Sequence, residues 1–284
     1  MMAEQVSFWS SHAIWLDAML VSMMCAAVLS YLGVWMVLGR VVYLPLALTQ
    51  VSSVGVVLAF IIGDVVGIHV HGGHFFSPEL MAMVMAGAAA VYFADAGRRS
   101  GEVTVVAYLV SASAVLILGI FMRGDLHDVQ SILFGNAVLV EPEQIWHVGA
   151  AAVSVAIIHT LFRKKMLYSI FDPDSAGASG MGVFRYNFIL FLTFAVMIAF
   201  STRAIGALPV FAFCVLPPMA ALKTAQSMRS VFILSSVFGV FSAAMGYYIS
   251  FVMELPTGAS MAMVSAFLLG LTFLFRLRRD ATPA

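Results

Sequence analysis

Along this chain, runs of apolar residues long enough to cross a bilayer alternate with short polar breaks. The runs cover about 15–38, 43–66, 78–96, 103–122, 144–162, 187–202, 205–222, 230–252 and 259–275. A hydrocarbon core roughly 30 Å thick takes about 20 such residues in a helix. Lipid offers the backbone no hydrogen-bond partner, so a run of this length satisfies its own amides by coiling. The runs predict an all-α, polytopic transmembrane helical bundle of about nine spans, read as a single membrane domain over residues 1–284.

The breaks set an orientation. Arg40, Arg98, Arg99, Arg163, Lys164, Lys165, Arg185, Lys223, Arg229, Arg276, Arg278 and Arg279 fall at alternate ends of the runs, and only Arg123 and Arg203 fall at the others. Lys and Arg gather on the cytoplasmic side of a membrane. The N-terminus is therefore expected outside and the C-terminus in the cytoplasm, in a multi-pass protein of the cell (inner) membrane with lipid around it. One missed span would scramble so clean a split. A composition 62% hydrophobic and 10% charged argues against a soluble enzyme, and a formal net charge of zero offers no surface for nucleic acid. Cys25 and Cys214 lie inside apolar runs and read as small core residues, and Met19, Met23 and Met24 as core packing. The opening MMAEQVSFWSSHAIW lacks the cationic start of a cleaved signal peptide.

The longest break, about 163–186 (RKKMLYSIFDPDSAGASGMGVFRY), falls on the cytoplasmic side of this topology. Asp172 suits an N-cap and Pro173 a first helical turn, so a short helix is predicted there, with Gly180 and Gly182 placed to stop it. A capped helix on the water side of a bundle is a docking knob for a soluble partner; an ordinary interhelical loop is the plainer alternative. Within the spans, Gly63 and Gly67 form a GxxxG pair, and Gly239, Ala243 and Gly246 share one helix face. Pro209, Pro217 and Pro218 interrupt the seventh run. Proline withdraws a backbone donor, which predicts a kinked inner helix and makes Pro217 and Pro218 candidates for a transport pathway.

Candidate chemistry lies in two outer segments. GIHVHGGHFFSPE places His69, His71 and His74 within six positions, beside Asp64 and Glu79. Neutral imidazoles suit Zn²⁺ and similar ions, and the glycines let the rings converge into a collecting site; a merely polar, His-rich loop is the alternative. RGDLHDVQSILFGNAVLVEPEQ carries Asp125, His127 and Asp128, which at a pore mouth would attract a divalent cation, or simply line a solvated loop. His147 and His159, at opposite ends of the fifth run, read first as hydrogen-bonded bundle residues. The chain has no GxxxxGK[ST], HExxH or GxSxG stretch, so it is not expected to be an enzyme. No cofactor is expected on this chain, and ATP-driven work would need an ATPase on another polypeptide.

Four stretches, in order, resemble the integral-membrane permeases of the zinc, manganese and iron-chelate ABC importers. DPDSAGASG, Asp172 to Gly180, is similar to that family's FDPExAxxxG coupling segment, with Asp172, Pro173, Asp174, Ala176 and Gly180 at the matching places. LFGN (Leu133 to Asn136) resembles its outer LFG turn, IGALPVFAFCVLPPMAAL (Ile205 to Leu222) its GxLLVxALLxxPAATA helix, and ELPTGAS (Glu254 to Ser260) its DLPTGA turn. The resemblance covers roughly Ala18 to Arg278. It implies a transmembrane permease domain that imports a divalent transition metal, zinc or manganese, as cargo. Two permease copies, alike or different, would form the pathway, cytoplasmic ATPase subunits carrying ATP would grip Asp172–Gly180, and an extracytoplasmic solute-binding protein would deliver the ion. ATP would drive alternation between outward- and inward-open states.

In one place the chain departs from that pattern. The family shows DALSHAxLPG in its second span, with Asp and His four residues apart on one helix face. Here Leu46 stands at the acidic position and Gln50 at the histidine position, in LALTQVSSVG, and PAATA reads PPMAA. Losing a carboxylate and an imidazole removes the ligands for a bare divalent ion. Three consequences stay open: ligands from the His69/His71/His74 loop or from Asp125/His127/Asp128, a different cargo, or a non-identical partner permease. Gln50 remains a pathway candidate. Two readings of other classes are weaker: a secondary transporter or channel without an ATPase calls for mid-span charges that the runs lack, and an intramembrane metalloenzyme calls for a base and ligands at membrane depth.

Overall fold

The structure, a computed structural model, describes residues 12–66, 78–96, 101–121 and 142–280. Ten helices and no strand occur among them: α1 (His12–Leu38), α2 (Leu44–Val66), α3 (Pro78–Ala96), α4 (Gly101–Gly119), α5 (Pro142–Phe171), α6 (Pro173–Ala178), α7 (Val183–Ile205), α8 (Ala207–Thr224), α9 (Met228–Met253) and α10 (Thr257–Asp280). Eight of these, all but α3 and α6, are long and apolar enough to cross a membrane. In α3 the apolar stretch is Pro78–Ala94, and at about 1.5 Å per residue the helix spans about 28 Å, close to a hydrocarbon core. Each of the nine apolar runs thus becomes one helix.

Helix α7 is the most enclosed span, and α4 and α5 are the least. Against α1 pack α5, α7, α8 and α9; α3 packs on α2 and α7, and α4 lies on α2. Met19, Met23 and Met24 pack on the core, and the thiols of Cys25 and Cys214 are free and buried within it. At one end of the bundle Arg203, in the last turn of α7, pairs with Glu79 in the first turn of α3. The other end carries Arg163, Lys165 and Lys223, each set over an aromatic ring: Phe232 at 5.6 Å, Tyr186 at 5.6 Å and Phe273 at 3.8 Å. Long cationic stems lie along apolar surface this way while their heads reach water.

Those cations lie differently from the sequence expectation. The fifth apolar run ends at 162 and Arg163 opens the polar break, yet α5 continues to Phe171. Met166 and Ser169 are buried and extend the inward face that Phe162 carries, at helical spacing, so the helix has reason to continue. The true break narrows to Asp172–Gly182.

The small residues divide their work. Gly239 of α9 meets the Ala26 carbonyl and Ser30 on α1, whereas Gly246 meets the backbone of Met261 on α10. The Ser235 hydroxyl donates to the Ser30 carbonyl at 2.7 Å and Ser236 to that of Ala27 at 3.1 Å, tying α9 to α1 across the glycine. Gly67 of the GxxxG pair lies outside the described residues.

Pro209 does not interrupt α8. It occupies the first turn, where no intrahelical donor is needed. Pro217 and Pro218 sit inside a helix that runs unbroken from Ala207 to Thr224. Their missing N–H groups leave the carbonyls of Phe213 and Cys214 without helical donors. The Cys214 carbonyl and the Pro218 ring face Gly33 of α1, where any Cβ would overlap them.

Candidate coupling site and transport pathway

Helix α6 is a single capped knob between α5 and α7. The Asp172 carboxylate accepts the Ser175 N–H at 3.0 Å, and Pro173 stands at the first helical position. The Ser175 hydroxyl and amide hold the Asp172 carboxyl below the usual carboxylate range. At the far end Met181 N–H reaches the Ala176 carbonyl and Gly180 N–H that of Gly177, each at 3.0 Å, with Gly180 at φ +78°. This is the Schellman arrangement, which needs the left-handed residue that glycine supplies. Gly182, at φ −70°, instead precedes α7. Ala176 is fully buried, while Asp172, Asp174, Ser175, Gly177 and Ala178 are exposed, so α6 plugs in by one methyl and offers a polar face. Beneath it the Ser169 hydroxyl donates to Asn187 Oδ1 at 2.9 Å, bracing the end of α5 against the start of α7.

On α2, Leu46, Gln50, Val54 and Val57 fall on one helix face by their spacing. Val54 and Val57 pack with Val115 and Leu118 of α4, so the same face, continued toward the start of α2, carries Gln50. Gln50 is half-buried, and its carbonyl oxygen is buried with no hydrogen-bond partner among the described residues. The Thr49 hydroxyl donates to the Leu46 carbonyl at 2.8 Å and that of Ser53 to Thr49 at 3.0 Å. Around Gln50, α2 thus carries an amide and hydroxyls and no charged side chain.

His69, His71, His74, Asp125, His127, Asp128 and the LFGN turn lie outside the described residues. Among those described, no three His, Cys, Asp or Glu side chains converge as a metal site. His147 is exposed, its ring 6.1 Å from that of Phe200. His159 is fully buried and bonds to Thr193 at 3.0 Å, the bundle role expected for it. The Ser169–Asn187 brace and the Gly33–Cys214 approach had no signal in the sequence, because each depends on which helix faces meet in three dimensions.

The family model described as the ABC 3 transport family matches residues 11–276. The chain belongs to the ABC 3 transport family. Among similar proteins is the manganese transport system membrane protein MntC of Halalkalibacterium halodurans, 28% identical over 262 residues, which are 91% of this chain and 84% of that protein. The manganese import system permease protein ScaB of Streptococcus gordonii is 23% identical over 257 residues, 90% of this chain and 89% of its own length. Among solved structures, PsaBC from Streptococcus pneumoniae in complex with Fab superposes with a TM-score of 0.78 at 19% identity, covering 96% of this chain and 95% of that one. This ABC 3 family member therefore has the all-helical, multi-pass fold of that protein, and it is a membrane permease rather than an ATPase.

Proposed function

We propose that this chain is the permease subunit of an ATP-driven importer of a divalent transition metal, manganese in preference to zinc. The observation that carries the reading is α6: a short helix, capped at both ends, seated by Ala176 and polar outward, within a chain of the ABC 3 transport family. In this reading Asp172, Pro173, Asp174, Ala176 and Gly180 form the seat for a separate ATPase that holds ATP. The basic end of the bundle is then cytoplasmic, and the N-terminus is outside. A second permease copy completes the pathway, and a solute-binding protein feeds the outer face, where His69, His71, His74, Asp125, His127 and Asp128 collect the ion.

The relatives support manganese. MntC of H. halodurans and ScaB of S. gordonii, both similar along about nine-tenths of this chain, are named for manganese. Leu46 and Gln50, in place of Asp and His, leave this part of α2 without a charged ligand, so in this reading the ion's ligands come from the outer segments or from a partner permease. Pro217 and Pro218 belong to the pathway as the place where α8 carries carbonyls without helical donors. The test is uptake into membrane vesicles carrying this chain with its ATPase and binding protein, loaded with ATP and offered Mn²⁺, Zn²⁺ or Fe²⁺ separately. ATP-dependent accumulation of Mn²⁺ ahead of Zn²⁺ is expected; accumulation of none of them, with the ATPase bound, would overturn the cargo assignment.

A further inference from the structure

Helix α6 is the tip of a hairpin whose legs, α5 and α7, are pinned at two levels. The lower pin is Ser169 to Asn187 at 2.9 Å, directly under the tip. The upper pin is His159 to Thr193 at 3.0 Å, with both side chains buried. The Thr193 hydroxyl hydrogen is committed to the Leu190 carbonyl at 2.7 Å, so its lone pair accepts from His159, which carries its proton on Nε2. The rings of Phe162 and Tyr186, 6.2 Å apart, add an apolar contact between the same two helices. Breaking the upper pin would leave the buried Nε2–H of His159 without its partner, which holds the two legs together at that level.

The upper pin also touches α1. The His159 ring stands edge-on to Tyr31 at 5.5 Å and to Trp35 at 5.4 Å. Those two residues flank Gly33, whose opposite side presses on the Cys214 carbonyl and the Pro218 ring of α8. Helix α1 is thus clasped between His159 and the two-proline segment of α8.

We propose that His159 is the positioning residue through which a displacement of α6 reaches α1 and, by way of Gly33, the proline segment of α8. The proposal rests on α6 being the ATPase seat. A hairpin pinned only at its tip could flex under load; the His159–Thr193 pin, set against two aromatic rings, makes it push.

The test uses the full complex of permease, ATPase and binding protein, with His159→Phe, Thr193→Val, the double variant and His159→Gln. Glutamine places an N–H where the imidazole Nε2–H stands. Metal accumulated per ATP hydrolysed is expected to fall about tenfold in each single variant, no further in the double, and to return with His159→Gln. A second readout needs no cargo: spin labels on Ser179 and on Gln226, past the end of α8, should report a distance change on vanadate trapping that His159→Phe abolishes. Single variants of normal yield and thermal stability that keep the wild-type ratio and distance change would overturn the proposal, as would strictly additive losses. A wild-type complex that hydrolyses ATP and accumulates no metal counts against the cargo reading alone, and the distance change then decides. Failure of the ATPase to bind α6 overturns both.

Discussion

Gly33 shows how much one hydrogen can decide. Its Cα faces the Cys214 carbonyl that Pro218 leaves without a donor, so a methyl group at this place would force α1 off α8. Gly33→Ala is expected to cost about 1–3 kcal/mol, the range for overpacking a close-packed interior, read as a lowered thermal midpoint of the purified protein. Gly87, with nothing near its absent Cβ, should accept alanine with no loss. Both glycines sit in apolar runs and look alike in sequence. What separates them is a carbonyl contributed by a helix some 180 residues away.

At the scale of an element, α6 is the part of the chain most legible from local chemistry. The N-cap at Asp172, the proline beside it and the left-handed glycine at 180 are all local devices, and each has the predicted role. Gly180→Val meets no neighbour but must adopt φ near +78°, a strain of about 1–2 kcal/mol for a residue with a Cβ. The end of α6 should therefore loosen, and ATPase recovered in a pull-down should fall while membrane insertion is unchanged. The cap also sets a pH limit. Because Ser175 lowers the carboxyl pKa of Asp172 in the folded state, the cap stabilises α6 fully above the ordinary carboxylate range and is lost as pH falls through the lowered value. ATPase recovery should be flat between about pH 5 and 8 on this account, with an acid limb that Asp172→Asn removes. The end of α5 lies beyond the sequence expectation because three consecutive cations have the pattern of a loop. The heads of Arg163 and Lys165 lie over aromatic rings on neighbouring helices, which no local pattern encodes.

For the whole molecule, the proposed topology makes a prediction of its own. Cys25 and Cys214 are buried, so single cysteines can be introduced without background. A membrane-impermeant thiol reagent should label Leu255→Cys from outside intact cells, and Ser179→Cys only after the membrane is opened. The reverse pattern would invert the bundle. The sequence alone determined that the chain is a helical membrane bundle and how many apolar helices it has, because a backbone in lipid must bond to itself and about 20 apolar residues measure a bilayer. It also determined the ends of α6, since caps are local. Which glycine meets which helix, that Pro209 is harmless while Pro218 exposes a carbonyl to α1, that Gln50 keeps a buried oxygen without a partner, and that His159 pins α7 while touching α1 were decided only by tertiary packing. In a chain made almost wholly of apolar helices, one-dimensional spacing gives each helix its faces, but only three-dimensional contact assigns those faces to partners.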